Sequence, residues 1–140
     1  MRNLCIFLSL MFLFLSSVIA SDKKLTVVVD GFKEQKGKLM VGIYNSDTTF
    51  MKKPYKGYAI KVIDTSLEFT VELPEGEYAF SVYHDVNGNN KLDTGIFGIP
   101  TEPYGFSNNA KGFMGPPSFE KAKFSLTTDS LVIRINLTHL

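Results

Sequence analysis

Between His84 and Gly95 the chain reads HDVNGNNKLDTG, which sets Asp85, Asn87, Asn89, Lys91 and Asp93 at alternate positions of one short stretch. Alternate side chains of a tightly curled backbone point at a common centre, and calcium takes oxygen ligands from carboxylates, amides and backbone carbonyls. Asp85, Asn87, Asn89, the Lys91 carbonyl and Asp93 are therefore candidate ligands for a structural Ca²⁺. The helix-loop-helix calcium loop needs glycine at its sixth position and a bidentate glutamate at its twelfth. Here those positions are Asn90 and Ile96, and Gly88 comes early, so the stretch is a different kind of loop. Two carboxylates just neutralise the ion, which predicts weak affinity, on the order of 10⁻⁴ to 10⁻³ M. The competing reading is a plain Asn-Gly turn with asparagine side chains bonding locally.

His84 extends the apolar face of Tyr78, Phe80 and Val82, which predicts a buried, hydrogen-bonded histidine. Beside an acidic loop it is also a candidate ligand or catalytic group. The other histidine, His139, is one residue from the end of the chain and is expected to be mobile. A three-histidine zinc site is excluded within one chain. Asp85, Asp93 and Glu102 could in principle supply an acid/base pair for glycoside hydrolysis, but nothing in the sequence sets their separation. No catalytic constellation is resolved, and the expected role is non-catalytic binding. The rival is a small extracytoplasmic hydrolase using His84 and a nearby carboxylate. His84, Glu102, Tyr104, Phe106, Asn108 and Phe113 form a candidate ligand or partner surface, whose partner would be an envelope or extracellular protein or a glycan. Of its aromatic residues, Tyr104, Phe106 and Phe113 are expected mainly to fold inward and hold the loop down.

The rest of the chain must position this stretch. Residues 1–20 have the build of a cleavable signal peptide, with Arg2 at the head, an apolar run from Leu4 to Leu15, and small residues leading to a cut between Ala20 and Ser21. A periplasmic or secreted product with no membrane anchor is expected. The single cysteine, Cys5, lies inside this segment, so disulfides and thiolate chemistry are excluded from the remainder. Without Arg2, the 15 basic side chains fall to 14 and match the 14 acidic ones, giving no net pull toward nucleic acid or an anionic membrane. Residues 21–140 fit one domain.

Apolar residues alternate in LTVVVDGF, KLMVGIY, LEFTVEL, YAFSVYH, AKFSL and LVIRINL, with a shorter strand at AIKVI. Strands with no helices to cover them imply an all-β fold, an antiparallel β-sandwich of about seven strands of the prealbumin or immunoglobulin type. The turns at Pro74–Gly76 and TTDS predict two hairpins. From residue 85 to 120 the alternation stops. So long an excursion inside a compact domain is functional or disordered. The presence of Phe97, Tyr104, Phe106, Phe113 and Phe119 argues for order.

HDVNGNNKLDTGIFGIPTEPYGFSNNA, followed by GPPSFEKAKFSL, resembles the signature of domain of unknown function family 2141, small secreted bacterial proteins. The resemblance runs from about Leu25 to Leu137, and it implies no activity, since that family is uncharacterised. Its members usually carry glycine where Asn90 stands, a departure that bears on the turn there, although asparagine also tolerates a left-handed backbone. Leu73, Pro74, Gly76 and Tyr78 are similar in spacing to the hairpin of transthyretin-like and carboxypeptidase-regulatory sandwiches. That likeness implies a fold and no function.

Overall fold

The computed structural model describes residues 20–140, so the expected signal segment lies outside the described residues except for Ala20. Eight strands form two sheets: β1 (Lys23–Asp30), β2 (Lys38–Tyr44), β3 (Lys56–Lys61), β4 (Ser66–Leu73), β5 (Gly76–Asp85), β6 (Tyr104–Phe106), β7 (Phe124–Leu126) and β8 (Ser130–Asn136). One sheet has the order β4-β1-β8. The other has the order β3-β2-β5-β6, and β7 also pairs with β5. The chain is thus an all-β sandwich. Its pairs are antiparallel except β1 with β8, which run parallel. Among the described residues no helix is long and apolar enough to cross a membrane.

The alternation read from the sequence supplies the core. Leu25, Val27 and Val29 of β1 face Leu39, Val41 and Ile43 of β2 and Tyr78, Phe80 and Val82 of β5 across the sandwich. Burying one such side chain contributes about 1.5–3 kcal/mol. Glu68, Thr70 and Glu72 of β4 and Arg134 and Asn136 of β8 stay exposed on the outer side.

Two expected hairpins are corrected. The strands on either side of Pro74–Glu75 lie in different sheets, β4 beside β1 and β5 beside β2. The same holds for β7, which pairs with β5, and β8, which pairs with β1. Each turn is an arch between the layers. Alternation tells which side chains face the core, but a strand in either sheet satisfies that requirement equally, so it cannot choose the pairing partner. Tyr78 clamps the first arch, its hydroxyl donating to the Pro74 carbonyl at 2.9 Å.

Burial, with smaller effects from Tyr55 and Asp22, holds the Tyr78 phenol above its ordinary range. A folded pKa above the unfolded one stabilises fully below the unfolded value of about 10 and loses that contribution as pH rises through the folded value. Tyr78→Phe should therefore melt less steeply with alkalinity than the parent between about pH 9 and 11. Parallel loss in both proteins, measured by thermal melting, would show that Tyr78 does not sense pH.

The excursion from 85 to 120 is ordered. It contains β6 and two short 3₁₀ turns at Ile96–Gly98 and Ser107–Asn109, and it runs into a one-turn helix α1 (Phe119–Ala122). Its aromatic residues divide. Phe106 and Phe119 are buried, and they join Tyr44, Phe50, Ala79 and Ala122 in a second cluster on the outer side of the five-stranded sheet. Phe50 packs edge-on against Tyr44 at 5.2 Å and against Phe119 at 5.7 Å. Tyr104 packs on the rim of this cluster. Phe113 does not fold inward as expected; it is 91 % exposed at a turn tip.

Candidate functional site

β5 ends in His84 and Asp85, and both are buried. His84 is a core histidine: its Nε2 donates to the Lys36 carbonyl at 2.7 Å, and its ring stands edge-on to Phe32 at 5.1 Å. Its backbone N–H donates to the Pro103 carbonyl, which brings the far end of the excursion back to β5. His139 is not free at the chain end, since its Nε2 donates to the Gly31 carbonyl at 2.7 Å.

Asp85 is fully buried and organises the loop that follows. Its Oδ1 accepts the backbone N–H groups of Gly88 at 2.8 Å and Asn89 at 3.1 Å, and its Oδ2 accepts that of Asn90 at 2.9 Å. The loop can wrap around one carboxylate because Gly88 (φ 76°) and Asn90 (φ 62°) both take the left-handed backbone. Asparagine tolerates the left-handed backbone that position 90 takes. Gly37 (φ 69°) backs against the same point, where an added Cβ would overlap the Asp85 carbonyl.

The asparagines continue the winding. Asn87 Oδ1 accepts Asn89 N–H, and Asn89 Oδ1 accepts Lys91 N–H. The side-chain amides of Asn87 and Asn89 both donate to the Asp93 carboxylate. The structure therefore brings together Asp85, Asn87, Asn89 and Asp93, while Lys91 enters through its backbone N–H and not through the carbonyl expected as a ligand. Among the described residues no group of three or more His, Cys, Asp or Glu side chains is placed to hold a metal ion, so any ion here depends on amide and carbonyl oxygens as well.

Glu102 belongs to this assembly rather than to an outer surface. It is buried, and its carboxylate accepts Val86 N–H at 2.9 Å and Asp93 N–H at 3.1 Å, tying both ends of the loop together from across the excursion. A cleft of about 370 Å³ lies alongside, lined by His84, Asn87, Asp93, Thr101, Glu102 and His139 among others. Burial, then the charges of Asp85, Glu102 and Asp93, raise the pKa of the neighbouring Tyr83. Beyond Asp93, the backbone closes a small finger through Gly95 N–H to the Ile99 carbonyl at 2.8 Å. At its tip Phe97 is 96 % exposed.

The other members of the expected surface lie elsewhere. Tyr104 and Phe106 sit on β6, and Asn108 donates to the carbonyls of Lys121 and Lys123 at the end of α1. Ser107, which the sequence did not single out, is fully buried, accepting Phe80 N–H at 2.9 Å and donating to the Ala122 carbonyl. Asn109 accepts Asn136 N–H at 2.8 Å. SNN is thus three successive polar anchors, to β5 and α1, to α1, and to β8. Its one legible signal was a cluster of turn formers inside an aromatic run.

No curated protein and no solved structure matches this chain, so the transthyretin-like layout gains no support from known structures. A family model, described as an uncharacterized protein conserved in bacteria (DUF2141), matches residues 27–134. That span takes in both sheets, the Asp85 loop and the SNN anchors, and the chain belongs to this family of uncharacterised bacterial proteins.

Proposed function

We propose that the protein is an extracytoplasmic, non-catalytic binding module whose long excursion is fixed by the Asp85–Asp93 loop and further stabilised there by calcium. The observation carrying this reading is the winding of the loop around Asp85, with Glu102 closing it from the opposite side. Carboxylate, amide and carbonyl oxygens suit a hard cation, and binding one would require Asn87 and Asn89 to turn their oxygens, here on backbone N–H groups, toward Asp93. Asp85, Asn87, Asn89, the Lys91 carbonyl and Asp93 would hold it. Calcium would screen the mutual repulsion of these acids and replace the amide contacts to Asp93. The hydrolase alternative draws less support, because the Nε2 of His84 is engaged with a backbone carbonyl.

An ion that binds only the folded state stabilises it by RT ln(1 + [L]/Kd). With Kd near 1 mM, about 10 mM calcium should add about 1.4 kcal/mol and raise the melting temperature by about 5 °C. A chelator should reverse the rise, and Asp93→Asn should keep the chelator-treated melting temperature while losing most of the response. Equal melting temperatures with calcium and with chelator would remove the ion from this reading.

A further inference from the structure

The loop after Asp85 carries three asparagines, Asn87, Asn89 and Asn90, and Asn87–Gly88 is the one Asn-Gly pair in the chain. An asparagine amide is hydrolysed through its own backbone. The nitrogen of the next residue gives its proton to solvent base and bonds to the asparagine Cγ. The Cγ–Nδ2 bond breaks, and the amide nitrogen takes a proton from water and leaves as ammonia. Water then opens the five-membered imide at either carbonyl, leaving aspartate, or isoaspartate with the chain running through the side-chain carbon. One water is consumed and one ammonia released, and nothing is oxidised or reduced. Asparagine is thermolabile for this reason, and a following glycine makes the attack easiest because it has no side chain to obstruct it.

Residues 87–91 are exposed, so water and base reach all three asparagines. Geometry is what restrains them. A peptide nitrogen is planar, so its new bond to Cγ must form where its N–H now points. For Asn87 that direction is taken by Asp85 Oδ1, which accepts the Gly88 N–H at 2.8 Å. For Asn89 it is taken by Asp85 Oδ2, which accepts the Asn90 N–H at 2.9 Å. For Asn90 it is taken by Asn89 Oδ1, which accepts the Lys91 N–H at 2.9 Å. All three attacking nitrogens are thus engaged, two of them by one buried carboxylate. The amides of Asn87 and Asn89 are themselves tied to Asp93.

We propose that Asn87 is a latent deamidation site, which the Asp85 carboxylate holds shut in the closed loop and which hydrolyses when the loop opens. Exposed loops open without unfolding the core, so the rate at Asn87 is that of the open chain multiplied by the open fraction. The change runs one way. In the product, the amide that donates to Asp93 has become a second carboxylate facing it, which opposes reclosing. Isoaspartate also adds a backbone carbon between Asp85 and Asn89 and spoils the spacing of the winding. Neither calcium nor a bound partner enters the reaction.

The test incubates the purified protein in mildly alkaline buffer with a chelator and reads deamidation at each asparagine by peptide mass spectrometry. Asn87 should react at least about tenfold more slowly in the native protein than in the same protein unfolded in urea, an opening cost of about 1.4 kcal/mol or more. Asp85→Ala should bring the native rate close to the rate in urea. Asp85→Asn, whose neutral oxygen still reaches the Gly88 N–H, should fall between, and it carries the comparison alone should Asp85→Ala fail to fold. Ser107→Ala, weakened where Ser107 joins Phe80 to Ala122, should keep the parent's rate at Asn87. Equal native and urea rates in the parent overturn the proposal, as does a folded Asp85 variant no faster than the parent. Equal acceleration by Ser107→Ala overturns it too, because global unfolding rather than the Asp85 contact would then set the rate.

Discussion

Asp85→Ala should lower stability by about 4 kcal/mol, and the melting temperature by something on the order of 15 °C. The size of the loss follows from burial and from the number of partners. Asp85 is 0 % exposed and accepts three backbone N–H groups, and alanine replaces none of them. A hydrogen bond to a charged group is worth about 1.5–3 kcal/mol, and the penalty grows when the abandoned donors cannot reach water. Part of it will be recovered here, because Gly88, Asn89 and Asn90 are exposed enough to be rehydrated once the loop opens. Asp85→Asn should cost roughly half as much: its oxygen can still serve Gly88 and Asn89, while its amide meets the Asn90 N–H donor to donor. Urea denaturation of the three proteins measures the series. A loss within about 1 kcal/mol for Asp85→Ala would mean that the loop is held by Glu102 and its own asparagines instead.

How far this arrangement could be read from the sequence differs between its parts. The inward faces of β1, β2, β4, β5 and β8 were legible because one wet and one dry face impose a period of two on the residues. Pairing was not, since the same period serves either sheet; LEFTVEL and YAFSVYH look like a hairpin and are an arch. The donor spacing Asp85, Asn87, Asn89, Asp93 was legible because it is local. Glu102 was visible as a nearby acid, but its task was hidden, because it closes a loop 16 residues away through backbone N–H groups that no side-chain pattern marks. His84 was legible as a core residue from its face on β5, and its Lys36 partner was not, lying 48 residues away in the chain. Phe97 and Phe113 show the limit of composition. Aromatic content argued correctly that the excursion is ordered, but it could not tell those aromatic residues that build the second cluster from those left at turn tips.

The least legible residue should be among the most sensitive. β6 and β7 share one edge of β5, pairing with Ser81–Tyr83 and with Gly76–Tyr78, and the ladder breaks between them. The Phe80 N–H falls in that gap, inside a fully buried residue, and Ser107 Oγ takes the place of the missing strand carbonyl. The same hydroxyl gives its proton to Ala122, the last residue of α1, so a single side chain completes the sheet and fastens the helix whose Phe119 roofs the second cluster. Ser107→Ala removes only one oxygen, yet it leaves a buried donor and a buried acceptor unpaired, at about 1–3 kcal/mol each. The expected loss is about 3 kcal/mol, or on the order of 10 °C in melting temperature. Asn108→Gly, which keeps the left-handed backbone (φ 59°) and removes only exposed contacts to α1, should cost less than about 1 kcal/mol. Hydrogen exchange separates a local from a global effect: in Ser107→Ala the Phe80 amide should exchange faster than neighbouring amides of β5 that keep their ladder partners. A Phe80 amide as protected as in the parent, in a variant of unchanged stability, would show that β5 closes its broken edge without the Ser107 hydroxyl.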